Sequence, residues 1–453
     1  MFENTYVNEW DFLLGFLYIF IFYQIAKLYQ SGRVLTQPHY RFFATGLLIK
    51  LIFSFFFCIV YVYYYNGGDS TAYQFSSLAL KKLSFKKPAA YIRIMLNDRS
   101  LENYFQFDLK TGYPGYWYDS QSFSVVRFTS VFQYFSFESY IPATLLLSLV
   151  TYSGFWKLYL LFVNNYPYLY RHFAFSVLFI PSVCFWGGGI MKDSYTLCGA
   201  LWLTYSAYSI LIIRKSILFY SITAILAAML IISIKPYIFV SLVIGLFLWI
   251  SLKYISGFDN RTVKFILAPF ILSIFIGIMS VVFIFTRSSL GQYSSLESIL
   301  VKASVTQNDL KQEYYQGNSF DIGSFDPTIP GILSKFFPAL TAGLFRPFIW
   351  EAKNFVMFIS ALENSVFILL LLYIIYTVGI VNFFRIILNE PILVFCTFYT
   401  ILFSFFVGLS TANFGALVRY KIPCTLFYTS SLIIIWRIGT KMSRKAFRRV
   451  SNH

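Results

Sequence analysis

Apolar residues run along this chain in blocks of roughly 17–25, the length that carries a helix across about 30 Å of hydrocarbon, and polar residues gather between the blocks. The pattern predicts about eleven spans. They are Phe12–Tyr29, Leu47–Tyr65, Tyr140–Val163, Phe173–Gly188, Tyr195–Ile213, Leu218–Ile234, Tyr237–Tyr254, Phe265–Phe285, Phe355–Ile380, Pro391–Leu409 and Ile422–Trp436. The fold class this implies is all-α, a polytopic transmembrane helical bundle forming one integral membrane domain over residues 1–453. Two long hydrophilic stretches, 66–139 and 286–353, interrupt the spans. From Tyr73 to Leu83 the apolar residues favour one side, which predicts an amphipathic helix lying in the membrane interface.

Composition agrees with the pattern. With 58% hydrophobic residues, 22% aromatics and a mean hydropathy of +0.65, too little polar surface remains for a soluble domain. The net charge of +17 then bears on orientation. Lys and Arg in short connections stay on the cytoplasmic side, whereas long loops translocate largely regardless of charge. Arg33 and Arg41, Arg171, Arg214 and Lys215, Lys253, Arg261 and Lys264, and Arg385 fall in alternate connections, and residues 437–453 form a basic tail. This places the N-terminus and both long loops outside and the tail in the cytoplasm, against anionic membrane lipids. The charge therefore calls for no nucleic-acid partner. The first span lacks a basic flank and a small-residue cleavage site, so it reads as retained. Cys58, Cys184, Cys198, Cys396 and Cys424 show no paired spacing and read as small apolar residues.

No phosphate-binding GxxxxGK[ST] loop, HExxH helix or GxSxG elbow is present, so ATP-driven pumping and zinc or serine hydrolysis lose support. The residues call for no cofactor and no metal. The three histidines, His39, His172 and His453, fall on the cytoplasmic side, which leaves Asp, Glu, Lys or Tyr for outer-face proton transfer.

The candidate chemistry lies in short charged clusters next to Gly, Pro and aromatic residues. After the second span comes Asn66-Gly67-Gly68-Asp69-Ser70-Thr71-Ala72-Tyr73. Two glycines allow a tight turn; Asp69 is either a plain helix cap or a carboxylate held at the membrane surface to take a proton from a sugar hydroxyl. The same loop carries a Tyr- and Trp-rich segment at 111–123, suited to headgroup anchoring or to stacking on sugar faces. Trp186-Gly187-Gly188-Gly189-Ile190-Met191-Lys192-Asp193-Ser194 breaks the fourth span. Its glycines would let a ligand approach the backbone, and Lys192 precedes an outward helix start, the generic chemistry of an anion site; capping plus a snorkelling Lys192 is the bland alternative. Lys235 before Pro236 repeats the arrangement, and so does Arg419-Tyr420-Lys421-Ile422-Pro423. Last, Arg346 in LFRPFIWE can grip a phosphate bidentately, with Glu351 as its salt-bridge partner or a second acid/base candidate, and Glu363 lies a couple of turns into the ninth span.

In this topology, and in the GGDSTAY and GGGIMKDS segments and outer-face Arg residues, the chain resembles the bacterial O-antigen and exopolysaccharide polymerases, and more loosely the GT-C glycosyltransferases. That resemblance implies a bacterial cytoplasmic (inner) membrane protein whose active face is outside, acting on a lipid-linked sugar and working beside polysaccharide-assembly partners. It implies glycosyl transfer with Arg346, Arg419, Lys192 and Lys235 on the departing pyrophosphate, Asp193, Lys421 and Tyr73 beside the substrate, and Asp69, then Glu351, as general base. No DxD or paired acid follows the first span, a departure from the GT-C pattern. A transporter or flippase for an anionic lipid-linked sugar is the alternative, using the same cations without chemistry.

Overall fold

A computed structural model describes residues 6–258 and 319–450, residues 295–310, and isolated positions between 260 and 284. Several side chains within 296–303 and those of 443–450 are not among the described ones. The expected span Phe265–Phe285, the loop cations Arg261 and Lys264, and the side chains of Arg444, Lys445, Arg448 and Arg449 therefore lie outside the described residues. Nine described helices are long and apolar enough to cross a membrane, and the protein is an all-α, multi-pass helical bundle. The nine run Glu9–Ser31, Pro38–Tyr64, Tyr140–Asn165, Lys192–Ile213, Ile217–Ile234, Pro236–Ser256, Phe355–Val378, Pro391–Ser410 and Ile422–Met442. Each coincides with one of the predicted blocks.

The fourth predicted span, Phe173–Gly188, is not a continuous helix. A turn at Tyr170–Phe173 widens into a π-helical turn over Ala174–Leu178, Ile180 is extended, and a short helix restarts at Pro181–Trp186. The reason is Pro181, which offers no N–H to the preceding turn and pushes Ile180 out of the helical region.

By internal packing the chain divides into two compact units, Met1–Ser206 with Ser221–Lys235, and Ala207–Tyr220 with Pro236–His453. In the first unit, the Glu9–Ser31 helix buries only Asp11, Gly15 and Ala26 while Leu13, Phe16 and Phe20 stand exposed, as a lipid-facing helix requires. Asn8 and Asp11 close a reciprocal capping box at its start. Asp11 also accepts the Tyr140 N–H at 2.7 Å, which fastens the Tyr140–Asn165 helix at its positive end.

Residues 66–139 fold into the helices Asp69–Lys86, Pro88–Met95 and Ser120–Phe132, with a single short turn at Leu101–Tyr104. The Asp69–Lys86 helix packs apolar residues of the expected amphipathic stretch inward. Tyr73, Leu80 and Leu83 are buried, and a polar seam joins Gln74 and Ser77 to Gln133. Buried amides stay only where they find partners, so this seam fixes how the two helices meet.

In the second unit, the Pro236–Ser256 and Pro391–Ser410 helices pair through stacked Trp249 and Phe395, 5.4 Å between centroids. The Phe336–Phe345 helix crosses Pro391–Ser410 on small residues. A Cβ on Gly408 would stand 1.9 Å from the Ala339 carbonyl oxygen, and one on Gly343 2.0 Å from that of Ser404. Backbone atoms cannot give way, so Gly408→Ala should separate the helices and destabilise the unit by at least about 1–3 kcal/mol, the usual cost of overpacking. Thermal unfolding in detergent checks this against Gly32→Ala, whose Cβ meets nothing within 4 Å. Equal melting of the two variants would contradict it.

Candidate functional site

Within the first unit, the GGDSTAY segment makes its turn with Gly67 and Gly68 at φ +96 and +133, values that L side chains rarely adopt. Gly68 is the helix cap. Asp69 is the first helical residue rather than the cap, and its carboxylate is exposed at the positive end of the Asp69–Lys86 helix. Ser70 hydrogen-bonds the Tyr140 hydroxyl at 2.7 Å, tying this start to the next span.

The segment 111–123 folds over it. Tyr116 donates its hydroxyl to Asp69 Oδ1 at 2.8 Å, and its ring lies 4.9 Å from that of buried Tyr73. Tyr73 donates in turn to Ser122 Oγ at 3.3 Å, and Ser122 to Asp119 Oδ2 at 2.5 Å. Asp119 also caps the Ser120–Phe132 helix and faces Lys192 Nζ at 3.4 Å. Burial first, then the Asp69 charge, pushes both phenols far above the usual tyrosine range, so they stay neutral donors. Burial opposes the Asp119 charge, but Lys192 and the donors at Ser122 and Gln121 outweigh it and hold this carboxyl below its usual range.

The structure thus brings Asp69, Tyr73 and Lys192 together, and Asp119 and Tyr116 join them. Sequence reasoning flagged the 111–123 segment but gave no role to either residue. The signal available was Asp119-Ser120, an acid and a hydroxyl opening a helical run.

The neighbouring Asp193 and Lys235 face each other. Asp193 and Lys235 are both buried and form an ion pair at 2.5 Å. Lys235 thus gives Asp193 its counter-charge in the interior. The three glycines at 187–189 also have another use. A Cβ on Gly188 would lie 2.0 Å from Ser54 Oγ, and one on Gly189 2.0 Å from the Phe57 ring. They permit close packing on the Phe43–Ile59 helix, and all three are buried, so the expected room for a ligand against this backbone is absent.

In the second unit, Arg346 Nε lies 2.8 Å from Glu351 Oε1, and Nη2 donates to the same oxygen. Glu351 Oε2 accepts the Phe348 N–H at 2.9 Å. The salt-bridge reading of this pair is the one the structure adopts, with the guanidinium over the Phe320 ring at 4.7 Å. Lys421 is buried and reaches Asn364 Oδ1 at 2.6 Å, the Arg346 carbonyl at 3.1 Å and that of Leu344 at 3.4 Å. Asn364, which sequence reasoning passed over, also donates to the Pro347 carbonyl at 3.1 Å. Three acceptors use an ammonium's three protons, so Lys421 clamps the 344–347 segment. Glu363 attracts it electrostatically. Arg419 is half-buried on the short Phe414–Tyr420 helix, beside the Tyr420 ring.

All five cysteines are buried and unbridged. Among the described residues, no group of three or more His, Cys, Asp or Glu side chains is placed to hold a metal ion. Fold and site define a multi-pass membrane protein with an acid–tyrosine–lysine cluster at helix ends. Comparison with family models, curated proteins and solved structures gives no match.

Proposed function

We propose that the protein is a membrane glycosyltransferase of the polysaccharide-polymerase type, transferring sugars from a polyprenyl-pyrophosphate-linked donor at the outer face of a bacterial cytoplasmic membrane. The observation that carries this reading is the cluster of Asp69, Tyr116, Asp119 and Lys192, which sets an exposed carboxylate near a half-buried ammonium. In the reaction, an acceptor hydroxyl forms the new bond to the anomeric carbon as the bond from that carbon to pyrophosphate breaks. Asp69 takes the hydroxyl proton; pyrophosphate leaves with the bonding electrons. Negative charge grows on the leaving group in the transition state, so a fixed cation such as Lys192 accelerates the step rather than only binding the donor. Lys235 and Lys421 serve as structural cations in this scheme, and Arg346 braces the segment that Glu351 caps.

The test supplies a polyprenyl-pyrophosphate-linked oligosaccharide to purified protein in detergent. Release of polyprenyl pyrophosphate with a lengthened glycan is expected; donor recovered intact across several repeat-unit compositions would sink the enzyme reading.

A transporter or flippase for the same class of lipid remains the second reading, favoured by one observation. Lys50 lies within the Pro38–Tyr64 span, buried, donating to the Cys184 carbonyl at 3.1 Å at the end of the interrupted fourth helix. Interrupted helices and intramembrane cations are features of transporters. Detergent micelles have no second compartment, so product formed there separates the two readings.

A further inference from the structure

The 95–127 region holds two guanidiniums, Arg99 and Arg127, that the transfer scheme does not use. Arg127, on the Ser120–Phe132 helix, is only 7% exposed. It donates to the Met95 carbonyl at 3.1 Å and to Ser124 Oγ at 2.9 Å, and its Nε is buried without an acceptor. Arg99 donates to the Trp117 carbonyl at 2.9 Å, and its Nε is likewise buried and unpartnered. Two more buried atoms in this cluster lack partners, the Trp117 indole N–H and Asn103 Oδ1.

The two guanidiniums repel. Burial first, then the Arg99 charge, lowers Arg127 to about 10, so it still carries its charge at neutral pH. No salt bridge joins either arginine to a carboxylate among the described residues. The four acids of this segment have other partners: Asp98 accepts the Ser100 N–H, Glu102 meets Arg93, Asp108 meets Lys86 and Asp119 meets Lys192. Two like charges, one of them buried, with no counter-charge and three idle N–H donors form an arrangement that an oxyanion would complete. The remaining acceptor, Asn103 Oδ1, suits a hydroxyl beside that oxyanion.

We propose that Arg99, Arg127, Trp117 and Asn103 form a binding site for a phosphate ester. The two guanidiniums and the indole N–H hold the phosphate oxygens, and Asn103 takes a neighbouring hydroxyl. The phosphate belongs either to a soluble sugar phosphate or to a lipid headgroup with free hydroxyls. The site shares the 116–119 segment with Asp69's partners, but none of its four side chains takes part in the transfer chemistry.

The experiment titrates full-length protein in neutral detergent with glucose 1-phosphate in one arm and with phosphatidylglycerol mixed micelles in the other, following heat by calorimetry. Glucose and phosphatidylcholine are the controls. Binding in either arm, weakened about tenfold or more in Arg99→Gln as expected for loss of a charge-assisted contact, supports the site, and the arm that binds identifies the source. Arg127→Lys keeps the charge and the fold but loses the planar fork, and should also weaken binding. No binding in either arm, equal binding of the neutral controls, or unchanged affinity in both variants overturns it. The readout is binding alone, so its failure leaves the glycosyl-transfer reading to its own test.

Discussion

Lys235→Ala should be among the most destabilising single substitutions in the first unit, costing roughly 3–5 kcal/mol, because it leaves a buried carboxylate without its counter-charge. Both partners are nearly inaccessible, Lys235 at 7% and Asp193 at 3%. Water cannot replace the lost ammonium there. The pair itself has a much smaller net worth, since each ion gives up its hydration to enter the interior. Combining Asp193→Asn with Lys235→Met should therefore restore most of the stability lost by Lys235→Ala. Lys192→Ala gives the contrast, because its partner Asp119 keeps 47% of its side-chain surface in contact with solvent. An ion pair so exposed contributes about 0–1 kcal/mol. Unfolding in detergent orders the three variants; a Lys235→Ala protein that melts with the wild type would refute the account.

Asp69→Asn should lower the rate of glycosyl transfer by about 10²–10⁴, the usual range for a lost general base. Folding should change little, since the side chain is exposed and the helix cap is Gly68. Asparagine can still accept the Tyr116 hydroxyl, so the geometry survives while the proton acceptor does not. The deficit should lie in the single-turnover rate and not in donor binding, which Lys192 governs in this scheme. Asp119→Asn tests the competing assignment. A full rate in Asp69→Asn together with a collapse in Asp119→Asn would transfer the role of base to Asp119.

Much of the fold was legible in the chain. Apolar block length is a local property, so nine of the predicted spans recur as single helices. The exception among the described residues, Phe173–Gly188, contains Pro181, whose effect on the preceding turn is also local and was available to be read. The glycine run at 187–189 misled for a different reason. Glycine marks a close approach without saying what approaches, and here it is the Phe43–Ile59 helix.

The candidate site was legible as a set of residue types and illegible as a set of partners. Asp69, Lys192, Lys235, Arg346 and Lys421 all stand out because a charge in an apolar chain is costly. Which charge meets which is decided over long separations: Tyr116 meets Asp69 across 47 residues, Lys235 meets Asp193 across 42, Lys192 meets Asp119 across 73, and Lys421 meets Asn364 across 57. The sequence alone determined a multi-pass helical membrane protein and where its charges interrupt the spans, because hydropathy and helix punctuation act within a few residues. Tertiary structure alone decided which of those charges are consumed in buried pairs and clamps and which, like Asp69, face outward, because burial depends on contacts that no local pattern encodes.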